Sequence, residues 1–333
     1  MSDEAAYCLV SGLLSDKIIQ GEISKWGFSN TLLDVQDLSQ SVYNNKGKLI
    51  VVTLNEGKIV LKEQGTAGIE AKNLARKRKQ FPQNYPQVYF NQGDYIFLEF
   101  IEGANAWEGA LKGKQIPLDE MVSHIAAVHN FSEGQVRQGE INFKPKDYAE
   151  YCRDKFVRHL GGLVNFEFEG AYFDIKDTIQ GKLKEFEERE HVDANLLNWI
   201  GLIKIDETNN TSSSPHFTLK SMLEYGPLLL DEESLTKLYR GYCSAASMDF
   251  RRFMEFDPYA GLVFHLNKIF RGIRRIIKTG ARQSSSGYEY GLKRHIGCFG
   301  KALDTLCGNG HKLGGLVDFR HSILDYCDRG KLI

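Results

Sequence analysis

Between residues 191 and 207 the chain gathers side chains that could carry out one reaction together: His191, Asp193, Asn198, Asp206 and Glu207. An ionised aspartate can orient a hydroxyl and take its proton as the oxygen attacks. The run His-Val-Asp-Ala-Asn-Leu-Leu-Asn follows Asp193 with an amide five residues on, at Asn198. Asn198 and Asp206 offer oxygen atoms, the ligands preferred by a hard cation such as Mg²⁺. Asp206 closes the apolar stretch Leu202-Ile203-Lys204-Ile205 and so reads as a carboxylate at a strand end. Phosphoryl transfer asks little covalent help of a protein. It needs the hydroxyl placed in line and charge neutralised, which one aspartate and two metal ligands can supply. Taken singly, Asp193 reads equally as a helix N-cap and Asn198 as a turn residue, and Asn195 is an alternative metal-holding amide.

A second pair lies upstream. Lys62 ends the β-branched run KIVLK, and Glu70 opens the helix-forming run EAKNLARKRKQ, which stops before Pro82. A flexible ammonium serves on a phosphate only when something holds it, and kinases use a strand lysine paired with a helix glutamate for this. Lys62 and Glu70 are therefore expected to meet, with Asp206 facing them.

The elements that must position these groups fall into two parts. LIVVTL (49–54) and KIVLKE (58–63) flank Asn55-Glu56-Gly57 as a hairpin, within a region that turns to strands from about residue 32. A helix is predicted over 70–80, then strands PQVYF (86–90) and YIFLEFI (95–101) around Asn91-Gln92-Gly93-Asp94. Residues 1–30 have helical periodicity. Beyond Gly103 helices are predicted over 117–130, 146–160, 174–190, 232–254, 258–278 and 287–306. One strand-like interruption at 196–206 must turn tightly at Gly201. Strands followed by helices, rather than alternating with them, indicate an α+β class.

In this order the motifs resemble the aminoglycoside phosphotransferase family, the kinase-like enzymes that include choline and sugar kinases. The resemblance runs from about residue 35 to 306. It covers VLK (60–62), EAKNLA (70–75), LEFIEG (98–103), IAAVHN (125–130), HVDANLLN (191–198) and IDE (205–207), with a weaker likeness in FHLNKIFRGIRRIIKTG (264–280) and Tyr288. It implies a two-lobed protein-kinase-like fold, with a small strand-rich nucleotide-binding lobe at 1–102. The large helical lobe at 103–333 would hold the catalytic loop and substrate helices. It implies Asp193 as the catalytic base, Asn198 and Asp206 as Mg²⁺ ligands with Glu207 near the metal, and His191 as a brace for the loop. Lys62, held by Glu70, would contact the α- and β-phosphates of ATP. Ser41 and Asn45 would lie in the nucleotide-covering loop, and the connector backbone from Glu99 to Ile101 would meet adenine. The implied activity is ATP- and Mg²⁺-dependent transfer to a hydroxyl of a small molecule such as a sugar, amino alcohol or aminoglycoside. The covering loop has one glycine and no GxGxxG, so a pseudokinase or nucleotide-binding interaction module is the alternative.

Composition narrows the remainder. The 333 residues hold 42 basic and 43 acidic side chains, a net charge of −1, so no global surplus calls for nucleic acid. The acidic N-terminus does not read as a secretory signal, and no apolar run reaches membrane-spanning length. Six cysteines without a CxxC pair read as free thiols of a cytoplasmic protein. Composition leaves the oligomeric state open. His124 and His129 read as packing residues, and the basic end of 70–80 as a surface face. Arg271, Arg274, Arg275 and Lys278 read as a solvated helix face, with an anionic ligand or substrate as the alternative.

Overall fold

The structure is a computed structural model and describes residues 3–38, 48–141, 143–186, 188–207, 211–279 and 288–329. The chain forms two compact units: Met1–Pro117 with Leu196–Asn209, and Leu118–Asn195 with Asn210–Ile333.

The first unit begins with helices α1 (Asp3–Leu14) and α2 (Lys17–Lys25). The strands are β1 (Leu32–Asp37), β2 (Lys48–Leu54), β3 (Gly57–Glu63), β4 (Val88–Gln92) and β5 (Tyr95–Glu99). They form an antiparallel sheet in the order β1-β2-β3-β5-β4. Helix α3 (Ala67–Gln80) connects β3 to β4, and α4 (Ala106–Leu111) follows the sheet. Side chains alternate between the faces of a strand, and β3 shows the consequence. Ile59 and Leu61 are buried in the apolar cluster that α1 and α2 complete with Ala6, Val10, Ile19 and Ile23. Val60 and Lys62 therefore point to the other face.

In the second unit α5 (Leu118–Arg137) is followed by α6 (Tyr148–Leu160), α7 (Glu169–Asp174), a π-helical turn at Ile175–Ile179 and α8 (Gln180–Glu185). Further along the chain come α9 (Pro215–Leu223), α10 (Glu232–Ala245), α11 (Phe250–Thr279), α12 (Tyr288–Gly308) and α13 (Gly314–Arg329). The core centres on α11, where Leu262, Leu266, Ile269, Phe270 and Ile273 are fully buried. The helix break falls earlier than the expected 254/258. The chain turns at Ala246–Asp249, where Asp249 Oδ1 accepts the Arg252 amide at 3.0 Å, and α11 then runs through Pro258. Burial of Phe253, Ala260 and Val263 on either side holds the helix together despite the bond a proline removes. No described helix is long and apolar enough to cross a membrane, and all six cysteines are free thiols.

Candidate active site

Lys62 leaves β3 on the face that α3 covers, and the first turn of α3 carries Glu70. Lys62 Nζ lies 2.7 Å from Glu70 Oε1 and 3.4 Å from Asp206 Oδ1. The expected pairing of Lys62 with Glu70 is present, and Asp206 joins it. Glu70 is fully buried and also accepts a hydrogen bond from the Gln64 amide. Burial and the neighbouring Asp206 carboxylate push Glu70 up to about 7. Burial disfavours the Lys62 ammonium, but Asp206 and Glu70 outweigh it and its pKa lies above the ordinary value.

Asp206 reaches this position through a tight hairpin. Trp199-Ile200 pairs with Ile203-Lys204 around a two-residue turn in which Gly201 has φ +58°. A two-residue hairpin needs a positive φ at its first central residue, and glycine adopts it without steric cost. The Ile205 amide donates to the Asn198 carbonyl at 2.9 Å, which closes the hairpin between the two predicted metal ligands. Gly103, in the connector after β5, has φ +130°, and an added Cβ would lie 3.1 Å from Ile200 Cγ2. Glu207 is buried between Lys77 Nζ at 2.6 Å and Lys204 Nζ at 2.9 Å, and both lysines are fully buried. Lys204 Nζ also donates to the Asp206 carbonyl, and Asn73 Nδ2 to the Glu207 carbonyl at 3.2 Å. Glu207 thus anchors the strand end to α3 instead of facing a metal.

The basic end of α3 is not the solvated face its sequence suggests. Lys77 is internal, and Arg78 binds the Tyr85 carbonyl and, at 3.1 Å, Glu99. The Glu99 carboxylate also accepts the Gln87 amide at 2.8 Å, and Ile101 follows half-buried in the connector. Ser41 and Asn45 lie outside the described residues. Asp206 and Asn198 are a carboxylate and an amide at the two ends of one hairpin, a donor set suited to Mg²⁺. Asp206 Oδ1 is shielded, and among the described residues it faces Lys62 Nζ at 3.4 Å, so the oxygen can take a cation.

Asp193 belongs to the second unit. The Ala194 amide donates to the Val192 carbonyl at 2.9 Å, a three-residue γ-turn with Asp193 at its centre. Val192 and Ala194 are fully buried on either side, and Asp193 between them is half-buried. His191 braces the turn: its amide donates to the Thr211 carbonyl at 2.8 Å, and its Nδ1 lies 2.9 Å from Ser213 Oγ. The packing roles read for His124 and His129 agree with their burial, and His129 Nδ1 contacts Tyr242 OH at 2.6 Å.

Two groups of side chains escaped the sequence reading. Lys146, Lys155 and Lys268 act electrostatically with Asp193 and Arg271, and nothing in their local sequence marks them. Lys220, Glu224, Asp257 and His265 form a buried network, with Lys220 Nζ 2.7 Å from Glu224 and 2.8 Å from Asp257. The four-residue spacing of Lys220 and Glu224 was its one legible signal.

No protein-family model and no curated protein matches the chain by sequence. Solved structures do match by shape. A choline kinase from Streptococcus pneumoniae has TM-score 0.57 at 14% identity, over 88% of this chain and 98% of that one. A second structure of that enzyme contains AMP. A choline kinase from Cryptosporidium parvum Iowa II has TM-score 0.58 at 14% identity, over 92% and 99%. A Plasmodium vivax ethanolamine kinase has TM-score 0.56 at 12% identity, over 91% and 97%. At these identities the likeness speaks for architecture, and it agrees with an N-terminal antiparallel sheet followed by helices. The chain has the two-lobed α+β, protein-kinase-like fold of the small-molecule phosphotransferases that its motifs resemble.

Proposed function

We propose that this protein transfers the γ-phosphate of ATP to a hydroxyl of a small molecule in a Mg²⁺-dependent reaction. The observation that carries the reading is Lys62 paired with Glu70 at 2.7 Å beside Asp206, across residues far apart in sequence. A lysine so held can bind nucleotide phosphates, and the structural neighbour that contains AMP supports a nucleotide site in this fold. Nucleotide binding is assigned to the lobe at 1–102, and the catalytic loop and acceptor binding to 103–333. Residues 196–209 pack with the first unit and supply the metal ligands to the nucleotide side.

Each residue has a distinct task. Lys62 binds the α- and β-phosphates, and Glu70 fixes its ammonium. The connector backbone at Glu99 to Ile101 meets the adenine edge, with Ser41 and Asn45 assigned to the covering loop. Asn198 and Asp206 would hold Mg²⁺, which when bound neutralises charge on the β- and γ-phosphates. Asp193 orients the acceptor hydroxyl and takes its proton. The acceptor oxygen bonds to the γ-phosphorus as the bond from phosphorus to the bridging oxygen breaks, and that electron pair leaves on ADP. Sugars, amino alcohols and aminoglycosides are the candidate acceptor classes that the motif resemblance offers, and the free thiols fit a cytoplasmic location.

The test is acceptor-dependent ADP release from Mg·ATP across hydroxyl compounds of every charge type. Release should disappear on adding EDTA and in Asp193→Ala. If no acceptor promotes release and Mg·ATP does not raise the melting temperature, the reading fails.

A further inference from the structure

The surroundings of Asp193 carry the opposite charge to the one a choline or aminoglycoside site needs. Lys268 and Arg271 lie three residues apart on α11, and Tyr151 and Lys155 four apart on α6, so each pair shares a helix face. The two helices meet where Asn267 Nδ2 lies 3.5 Å from Cys152 Sγ. Lys146 sits just before α6 with its Nζ 3.9 Å from the Tyr151 ring centre and 5.2 Å from that of Phe217. Lys155 Nζ is 5.1 Å from the same Tyr151 ring. Lys268 Nζ lies 3.4 Å from the ring centre of Tyr225 and 4.9 Å from that of Phe264. Asp193 is the carboxylate that acts on both Lys146 and Lys268.

We propose that the acceptor is anionic: a hydroxylated small molecule bearing a phosphate or carboxylate that Lys146, Lys268 and Arg271 engage while its hydroxyl faces Asp193. This rests on the phosphotransferase reading and names the acceptor class for that same site. Recognition of a quaternary or primary ammonium uses open aromatic faces and nearby carboxylates. Here the chain's own lysine amines lie over Tyr151 and Tyr225, and Lys146, Lys155, Lys268 and Arg271 share the electrostatic neighbourhood of Asp193. A cationic acceptor meets repulsion on approach, whereas an anion relieves the crowding of like charges. That crowding is real: burial first, then Arg271 and the neighbouring lysines, hold Lys268 well below its ordinary pKa, with Asp193 opposing. Arg271 is exposed, so it can reach a ligand without disturbing the core. The transfer step is the one described above, with ATP as phosphoryl donor.

The experiment pairs anionic compounds with their neutral parents. Glucose 6-phosphate and gluconate, each against glucose, and choline and ethanolamine are titrated into the full chain saturated with Mg·ADP, and the same compounds are assayed for ADP release from Mg·ATP. An anionic member should bind at least about tenfold tighter than its neutral parent, with an advantage that shrinks as salt rises. The phosphate and carboxylate arms show which anion the site takes. Arg271→Ala and Lys268→Met should raise the KM of the preferred acceptor more than they lower kcat. Arg271→Ala carries this test if Lys268→Met does not fold. Equal or tighter binding of choline, ethanolamine or glucose overturns the inference and leaves phosphotransfer standing. Anion binding with no ADP release from any acceptor and no rise in melting temperature with Mg·ATP overturns phosphotransfer and leaves the anion site standing.

Discussion

A carboxylate that takes a proton in one step of a reaction need not touch the other substrate, and Asp193 should separate the two. Its γ-turn closes through the Ala194 amide and the Val192 carbonyl, and His191 braces it. Asp193→Ala should lower kcat at least about 10²-fold, the usual contribution of a general base. Mg·ADP affinity, measured by calorimetry, should change little; a parallel loss of affinity would move Asp193 to the nucleotide. Lys146 gives the same neighbourhood a pH signature. Burial, with Lys155 and Arg271 as like charges, lowers its pKa to about 8, while Cys152 and Asp193 oppose the fall. The group is therefore charged at pH 7 and loses its proton as pH rises through about 8. An anionic acceptor should bind progressively more weakly from pH 7 to 9, seen as a rising KM. Lys146→Arg should flatten that dependence, because a guanidinium stays protonated over this range.

At the scale of elements, the site depends on how the 199–204 hairpin is tied to α3. Two buried lysines share one buried carboxylate, and removing that carboxylate leaves both ammonium groups without their counter-charge in a dry interior. Glu207→Gln should therefore cost about 3–5 kcal/mol of stability, read as a lower urea midpoint with an unchanged m-value. Mg·ADP affinity should fall as well, since Lys204 also holds the Asp206 carbonyl. Wild-type stability in Glu207→Gln would mean that the triad does not anchor the hairpin. The hairpins of the sheet, α3 and most helices beyond 117 were legible because turn residues and apolar periodicity mark them locally. Lys62 and Glu70 were legible as a pair through their order along the chain. Lys77 was not, because a lysine in a basic run looks solvated until its distant partner Glu207 is in place, and Lys204 was not, because a lysine in a short strand gives no sign of its burial. Helix α9 was missed for a related reason: from Pro215 to Leu223 every residue is buried, so no polar face gives it a period. Helix α11 was split at Pro258 because the sequence shows the proline but not the aromatic packing around it.

On the scale of the molecule, the chain crosses between its compact units at 117/118, 195/196 and 209/210. The second unit, which presents Asp193, depends on histidines buried in its core. His216 is fully buried, stacks on Phe253 with ring centres 3.7 Å apart, and has its Nε2 2.8 Å from the Phe253 carbonyl. Burial lowers its pKa to about 4, with Asp257 and the Phe253 carbonyl opposing and Lys220 adding to the fall. Burial likewise brings His295 down to about 2, with His265 and Lys268 as further causes. An unfolded histidine binds its proton near pH 6.5, so between that value and the folded pKa the unfolded state binds more protons. Stability from these groups is fully present above about pH 6.5 and is lost as pH falls toward 4. By pH 5 each such histidine removes roughly 2 kcal/mol, and two together approach the lower end of the total stability of an ordinary domain. The urea midpoint followed by circular dichroism should therefore drop steeply from pH 7.5 to 5, with helical signal lost first at the acid end. In His216→Gln, if it folds, the drop should be shallower, because one proton-binding group has been removed from the unfolded chain. A midpoint level across this range in the wild type would mean that these histidines are not held neutral in the folded core.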